Sequence, residues 1–279
     1  MDGKALAERI RGDVAREISE LGHVGLATVL VGEDPASEVY IRLKHGAAKE
    51  AGIDARDVRL DASTSESDVL ALVDDLNADD EVDGILVQLP LPSHIDETRV
   101  TYAVAPHKDV DGFHPVNAGN LYLGTPLHIP ATPAGCMALL DEYGVDPKGK
   151  NAVVIGRSEI VGRPVSMLLL QANATVTMCH SKTADLAGEV RRADIVVAAV
   201  GVPGLVTPPM VKPGAAVIDV GLTRTDEGIR GDVDPAVAEV AGYLTPMPGG
   251  TGPMTIALLL RSAVKAARYR RGILAYPTF

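Results

Sequence analysis

Apolar residues recur along this chain in two alternating rhythms, one of helical and one of extended period. Leu6, Ile10, Val14, Ile18 and Leu21 fall three to four positions apart behind Asp2, which predicts a capped amphipathic helix. Residues 25–32 (Gly-Leu-Ala-Thr-Val-Leu-Val-Gly) form an apolar run bounded by glycines and too short for a buried helix, so they read as a strand. Asp34, Pro35 and Ser37 are start signals for a second helix that reaches about Ala51 and stops at Gly52. Residues 58–60 read as a short strand, 65–78 as a helix with Val69, Leu72, Val73 and Leu76 inward, and 84–89 as a strand.

The rhythm returns after a connecting helix at 132–143, which Gly144 stops. Strands are predicted at 152–155, 175–179, 194–200 and 215–220, with helices at 160–173 and 185–193. A last apolar helix runs from Met254 to about Ala267, with Pro253 at its first position. Strands that alternate with helices mean βαβ units and parallel sheets. At 279 residues the chain is long enough for two such α/β domains, expected at 1–131 and 132–279.

Composition narrows the partners. A net charge of -11, no Trp and two Phe argue against a nucleic-acid partner, which needs cations and stacking platforms. Two cysteines make no disulfide framework, and Cys179 beside His180 lacks the paired spacing of a zinc site, so both read as reduced core residues and no metal is expected. Charges at Asp2, Lys4, Glu8, Arg9 and Arg11 leave no signal-peptide core, and the longest apolar run, 195–206, is broken by Gly201 and Pro203. A cytoplasmic protein without membrane contact is expected.

Candidate chemistry falls where strands end. Gly156 stops the 152–155 strand, and the turn from Gly156 to Gly162 leads into a helix whose free N–H groups suit a phosphate. Its spacing departs from G-x-G-x-x-G, so taken alone the turn fits a plain strand-to-helix connection as well as a nucleotide site. After the next strand the chain reads His180-Ser181-Lys182-Thr183, where an NAD-binding protein would usually present an acid to the ribose. Together with Arg157, this favours the phosphorylated ribose of NADP.

In the first half, Tyr40 and Lys44 share a helix face, Gln88 ends a strand, and Lys108-Asp109-Val110-Asp111-Gly112 forms an acidic turn. Separately these read as a solvated helix pair, a sheet-end cap and turn chemistry. All three fall at the carboxyl ends of strands, where open α/β sheets bind ligands. A final cluster, Pro248-Gly249-Gly250-Thr251-Gly252-Pro253-Met254-Thr255, lets backbone approach a ligand closely.

Taken together with Val87-Gln88-Leu89-Pro90-Leu91-Pro92 and Gly156-Arg157-Ser158 through Val161-Gly162-Arg163-Pro164, these motifs identify a family. The chain resembles bifunctional methylenetetrahydrofolate dehydrogenase/methenyltetrahydrofolate cyclohydrolase over nearly its full length. The resemblance implies an N-terminal folate-binding catalytic domain and a C-terminal Rossmann-like NADP-binding domain, with a cleft between them and a homodimeric assembly. Tyr40 would stack on the pterin, Lys44 and Gln88 would act in catalysis, and Asp111 would hold the pterin. Val87, Leu89, Pro248, Gly249, Gly250, Gly252 and Pro253 would border the folate, and Gly156, Arg157, Ser158, Ser181, Lys182 and Leu222 the cofactor.

Two departures stand out: Lys44-His45-Gly46-Ala47 where Lys-x-Lys-Ala is frequent, and Thr251 where valine is usual. The last segment, from about residue 265, is expected to pack back on the first domain. Rival readings are a dehydrogenase that has lost the hydrolytic step and a nucleotide-sensing module without chemistry.

Overall fold

The computed structural model describes residues 1–33, 35–226 and 228–275, the side chains of 35–40 excepted. The chain divides into two compact units. One takes Arg9–Ile129 and the chain from Ile256 onward, and the other takes Met1–Glu8 and Pro130–Thr255.

The unit containing Arg9–Ile129 follows the order α1 (Gly3–Leu21, its residues up to Glu8 belonging to the other unit), β1 (Gly25–Val31), α2 (Pro35–Glu50), β2 (Asp54–Leu60), α3 (Glu66–Ala78), β3 (Gly84–Val87), α4 (Glu97–Ala103) and α5 (Pro115–Leu123). Asp2 caps α1, its Oδ1 accepting from the N–H groups of Lys4 and Ala5 at 3.0 and 3.1 Å. The sheet is parallel throughout, with order β2-β1-β3. Central β1 is buried at every position, which is why it reads as one apolar run. Edge strand β2 is polar and largely exposed, so only its last residues stood out in the sequence. Ala27, Val29 and Val31 pack with Val69, Val73, Leu76, Ile85 and Val87 into one core.

The pairing of β3 ends at Val87, earlier than the predicted 89, and leaves Gln88 just past the strand. Helix α5 was not predicted. Its cap is His114, whose Nδ1 accepts from Val116 N–H at 3.1 Å, a less usual start signal than Ser, Thr, Asp or Asn.

The unit containing Pro130–Thr255 continues with α6 (Ala131–Glu142), β4 (Asn151–Ile155), α7 (Gly162–Gln171), β5 (Thr175–Cys179), α8 (Leu186–Arg191), β6 (Ile195–Ala198), β7 (Ala216–Asp219), β8 (Thr223–Thr225), β9 (Gly228–Arg230), β10 (Tyr243–Leu244) and the start of α9 (Thr251–Arg270), whose residues from Ile256 on belong to the other unit. Five parallel strands stand in the order β10-β7-β6-β4-β5. The order reverses at β4, which pairs with β5 on one side and β6 on the other. Alternate residues of the inner strands feed two cores: Val153, Ile155, Val196, Ala198 and Val217 in one, and Ala152, Val154, Ile195, Val197 and Ile218 in the other. Both faces are covered, as the apolar runs required. The hairpin β8-β9 and the two-residue β10 carry no such run and were missed.

Helix α9 begins at Thr251, three residues before the sequence reading placed it. Pro253 therefore sits inside the first turn, where its missing N–H leaves no helical bond unmade. At the far end, within the unit of Arg9–Ile129, Arg268 pairs with Glu17 at 3.3 Å and Arg270 with Asp83 at 2.6 Å, while Arg271 donates to the carbonyls of Leu21 and His23. Cys136 and Cys179 are free thiols, both buried, and burial pushes Cys136 up to about 12. Among the described residues no helix is long and apolar enough to cross a membrane.

Candidate active site

Lys44 projects from the helix that follows β1, and Gln88 from the first position beyond β3. Lys44 Nζ donates to Gln88 Oε1 at 3.1 Å, and Gln88 Nε2 donates to the carbonyl of Leu89 at 2.7 Å. A carbonyl can only accept, so Leu89 fixes the amide nitrogen and leaves its oxygen for the lysine. Val87 and Leu89 turn into or against the core cluster, so what they offer beyond it is main chain. Burial lowers the Lys44 pKa, and the nearby charge of Asp111 opposes that only in part. Burial also raises Asp111 to about 6, Lys44 pulling it down and Asp109 pushing it further up.

The acidic turn divides its labour. Asp109 is buried and accepts from Gly112 N–H (3.1 Å) on Oδ1 and from His114 N–H (2.8 Å) and Asn117 Nδ2 (2.9 Å) on Oδ2. Lys108, also buried, donates to the carbonyls of Leu76 and Asp79 at 3.0 and 2.8 Å at the end of α3. These two anchor the turn, and Asp111 is the acid electrostatically coupled to Lys44. The structure thus brings Lys44, Gln88 and Asp111 into one group. Tyr40 belongs to α2, but its side chain lies outside the described residues.

At the end of β4, Gly156 has φ 122°, and a side chain there would strike the carbonyl of Ala199. One at Gly162 would strike the carbonyl of Gly156, so the turn holds its shape only with both glycines. No side chain of Val161 caps α7; Ser158 Oγ accepts from the N–H groups of Val161 and Gly162 at 3.2 and 3.3 Å. Arg157 and Ser158 are exposed, as are Ser181 and Lys182 beyond β5. Beyond β6 and β7, Val200, Val202 and Leu222 are 38%, 48% and 40% exposed.

The carboxyl ends of β5, β4, β6 and β7 therefore carry cations, a glycine turn and an apolar ledge in sequence across the sheet. That set fits a dinucleotide: phosphates at a helix start, a charged ribose substituent near cations, and a planar ring on apolar groups. Val200 was missed because it closes the 194–200 run that reads as a strand, and Val202 because it lies in the apolar stretch just beyond Gly201.

In the 248–255 segment Met247–Pro248 is cis, Pro248 is exposed, Gly249, Gly252 and Pro253 are half-buried, and Gly250 is buried. Thr251 is buried, and its hydroxyl donates to the carbonyl of Asp219 at 3.1 Å. The departure from valine thus adds a bond from α9 to the end of β7.

An open parallel sheet with its reversal at β4 and a ligand-shaped edge defines a dinucleotide-binding α/β enzyme. The chain belongs to the tetrahydrofolate dehydrogenase/cyclohydrolase family: the family model of the catalytic domain matches residues 1–111 and that of the NAD(P)-binding domain residues 130–271. A bifunctional protein FolD from Moorella thermoacetica is 56% identical over 96% of this chain and 98% of its own. The crystal structure of the bifunctional enzyme FolD from Campylobacter jejuni has a TM-score of 0.95 at 46% identity, covering 96% of this chain and 98% of that one. A Trypanosoma brucei methylenetetrahydrofolate dehydrogenase-cyclohydrolase, solved with NADP cofactor and inhibitor, has a TM-score of 0.92 at 40% identity, covering 99% and 98%.

Proposed function

We propose that this enzyme oxidises 5,10-methylenetetrahydrofolate with NADP and hydrolyses the 5,10-methenyl product to 10-formyltetrahydrofolate. Residues 1–131 handle the folate and 132–279 the nucleotide, with the segment from about 265 serving the first group. The observation that carries the reading is Lys44, desolvated and held by an amide oxygen instead of a carboxylate. A lysine so placed has a neutral fraction able to take a proton from water attacking the methenyl carbon. Gln88 orients it, Asp111 holds the pterin and Tyr40 stacks on it. Val87, Leu89 and the backbone of Pro248, Gly249, Gly250, Gly252 and Pro253 border the substrate.

NADP, when bound, supplies the hydride acceptor. Its phosphates suit the Gly156–Gly162 turn with Ser158, its ribose phosphate suits Arg157, Ser181 and Lys182, and Leu222 packs against it. The oxidised carbon already lies between two nitrogens, so that step asks for alignment more than for an acid or base. Membership in an enzyme family speaks against the nucleotide-sensing reading. Residence in the cytoplasm and assembly as a homodimer belong to the same proposal, the former supported by two unpaired thiols.

An absorbance assay with methylenetetrahydrofolate and either NADP or NAD tests the activity. NADP-dependent formation and subsequent loss of the methenyl compound is expected, and no turnover with either nucleotide would refute it. Replacing Arg157 and Lys182 by Ala should weaken NADP far more than NAD, because only NADP loses charge-assisted bonds to phosphate. Equal loss for both nucleotides would reject the ribose assignment.

A further inference from the structure

Asp232 is fully buried, yet no step of the proposed chemistry uses it. Its carboxylate accepts three consecutive backbone N–H groups: Val200 at 2.6 Å and Gly201 at 3.1 Å on Oδ2, and Val202 at 2.7 Å on Oδ1. These residues form the ledge beyond β6. That stretch has left the sheet and has no ladder to shape it, so the carboxylate supplies its fixed acceptors. The ledge also abuts the nucleotide turn, since the carbonyl of Ala199 occupies the space that a side chain at Gly156 would need.

Asp219, the last residue of β7, holds Asp232 in turn. Its Oδ1 accepts from the N–H groups of Asp232 (2.9 Å) and Gly221 (3.1 Å), and its Oδ2 from Val233 (3.1 Å). A side chain at Gly221 would strike the Asp232 carboxylate, and one at Gly231 would strike that of Asp219. The two acids and their loops are therefore interlocked.

We infer that Asp232 is a positioning residue for nicotinamide-nucleotide binding: it sets the Val200-Gly201-Val202 ledge on which the cofactor lies, without touching the cofactor itself. This rests on the reading of the sheet edge as the NADP site. The negative charge is spent on three N–H dipoles beneath the ledge, so the support is compatible with an anionic ligand above it.

Asp232→Asn keeps the shape but turns an NH2 toward one of the three N–H groups, and Asp232→Ala removes every acceptor. NADP affinity, followed by calorimetric titration, should fall roughly tenfold or more in Asn and further in Ala, as buried donors lose partners. The dehydrogenase KM for NADP should rise more than kcat falls. Hydrolysis of methenyltetrahydrofolate uses no nucleotide, and Lys44, Gln88 and Asp111, which are proposed to act in it, lie in the other unit, so it should stay within about twofold of the parent and report intact folding. NADP affinity unchanged in both variants, or hydrolysis lost in proportion to binding in Asp232→Asn, would overturn the inference. Parent protein that hydrolyses the methenyl compound but binds no NADP would instead overturn the cofactor reading beneath it.

Discussion

Lys44 can serve as a base only because its neighbours hold its proton weakly. Gln88 presents a neutral oxygen at 3.1 Å, and Asp111 is itself raised to about 6, so neither restores what burial removes. Lys44→Met should slow methenyl hydration by roughly two to four orders of magnitude with little effect on folding. In the parent, the hydration rate should rise with pH through the lowered lysine pKa. A parent-like rate in Lys44→Met would assign the base to another group. Asp111 carries a second consequence, on stability. A carboxyl with a raised folded pKa favours folding while protonated; that contribution is complete below about pH 4 and is lost as pH climbs through 6. Asp111→Asn should therefore stabilise the protein at pH 8 by on the order of 1–2 kcal/mol while impairing folate turnover, with the gain shrinking toward pH 5. Urea unfolding at the two pH values checks this, and a larger gain on the acid side would contradict it.

Helix α2 illustrates how far local pattern carries. Its start at Pro35 and its stop at Gly52 were legible, and so was the place of Lys44 on it, while Asp34 and the side chain of Ser37 lie outside the described residues. Gly46 stands where the family frequently has a second lysine. In the structure it is exposed, and an added Cβ meets nothing within 4 Å, so the position asks nothing of glycine. Gly46→Ala should accordingly raise stability by about 0.5–1 kcal/mol through helix propensity alone, with both activities unchanged in steady-state assays. A fall in hydrolysis would show that the glycine serves the lysine two residues earlier. Buried strands β1, β3, β4, β6 and β7 announced themselves because both their faces are covered. Helix α5 and strands β8, β9 and β10 did not, because the cap is unusual or the residues are few, and polar β2 showed only its last residues, 58–60. Asp219 and Asp232 were silent for another reason: nothing local marks carboxylates that hold partners thirteen and thirty positions away, as Asp219 holds Asp232 and Asp232 holds Val202.

Over the whole molecule, long-range bonds decide which segments travel together. The ammonium of Met1 donates to the carbonyl of Leu244 at 2.6 Å, across 243 positions, and Arg270 reaches back to Asp83. Windows of ten or twenty residues contain neither partner, so periodicity could name the elements but not this grouping. The proposed assembly is symmetric, as most homo-oligomers are, and light scattering at micromolar concentration should return about twice the 29.1 kDa chain. A mass near 29.1 kDa would reject it. The burial of both thiols has a practical use here. Cys136 and Cys179 are 0% and 1% exposed and carry raised pKa values, so thiol-reactive dyes should pass them by. A cysteine introduced at exposed Leu123, or at exposed Leu170 in the other unit, would then be the sole labelled position, and spectroscopic reporters can be attached to this enzyme without first stripping its native sulfur.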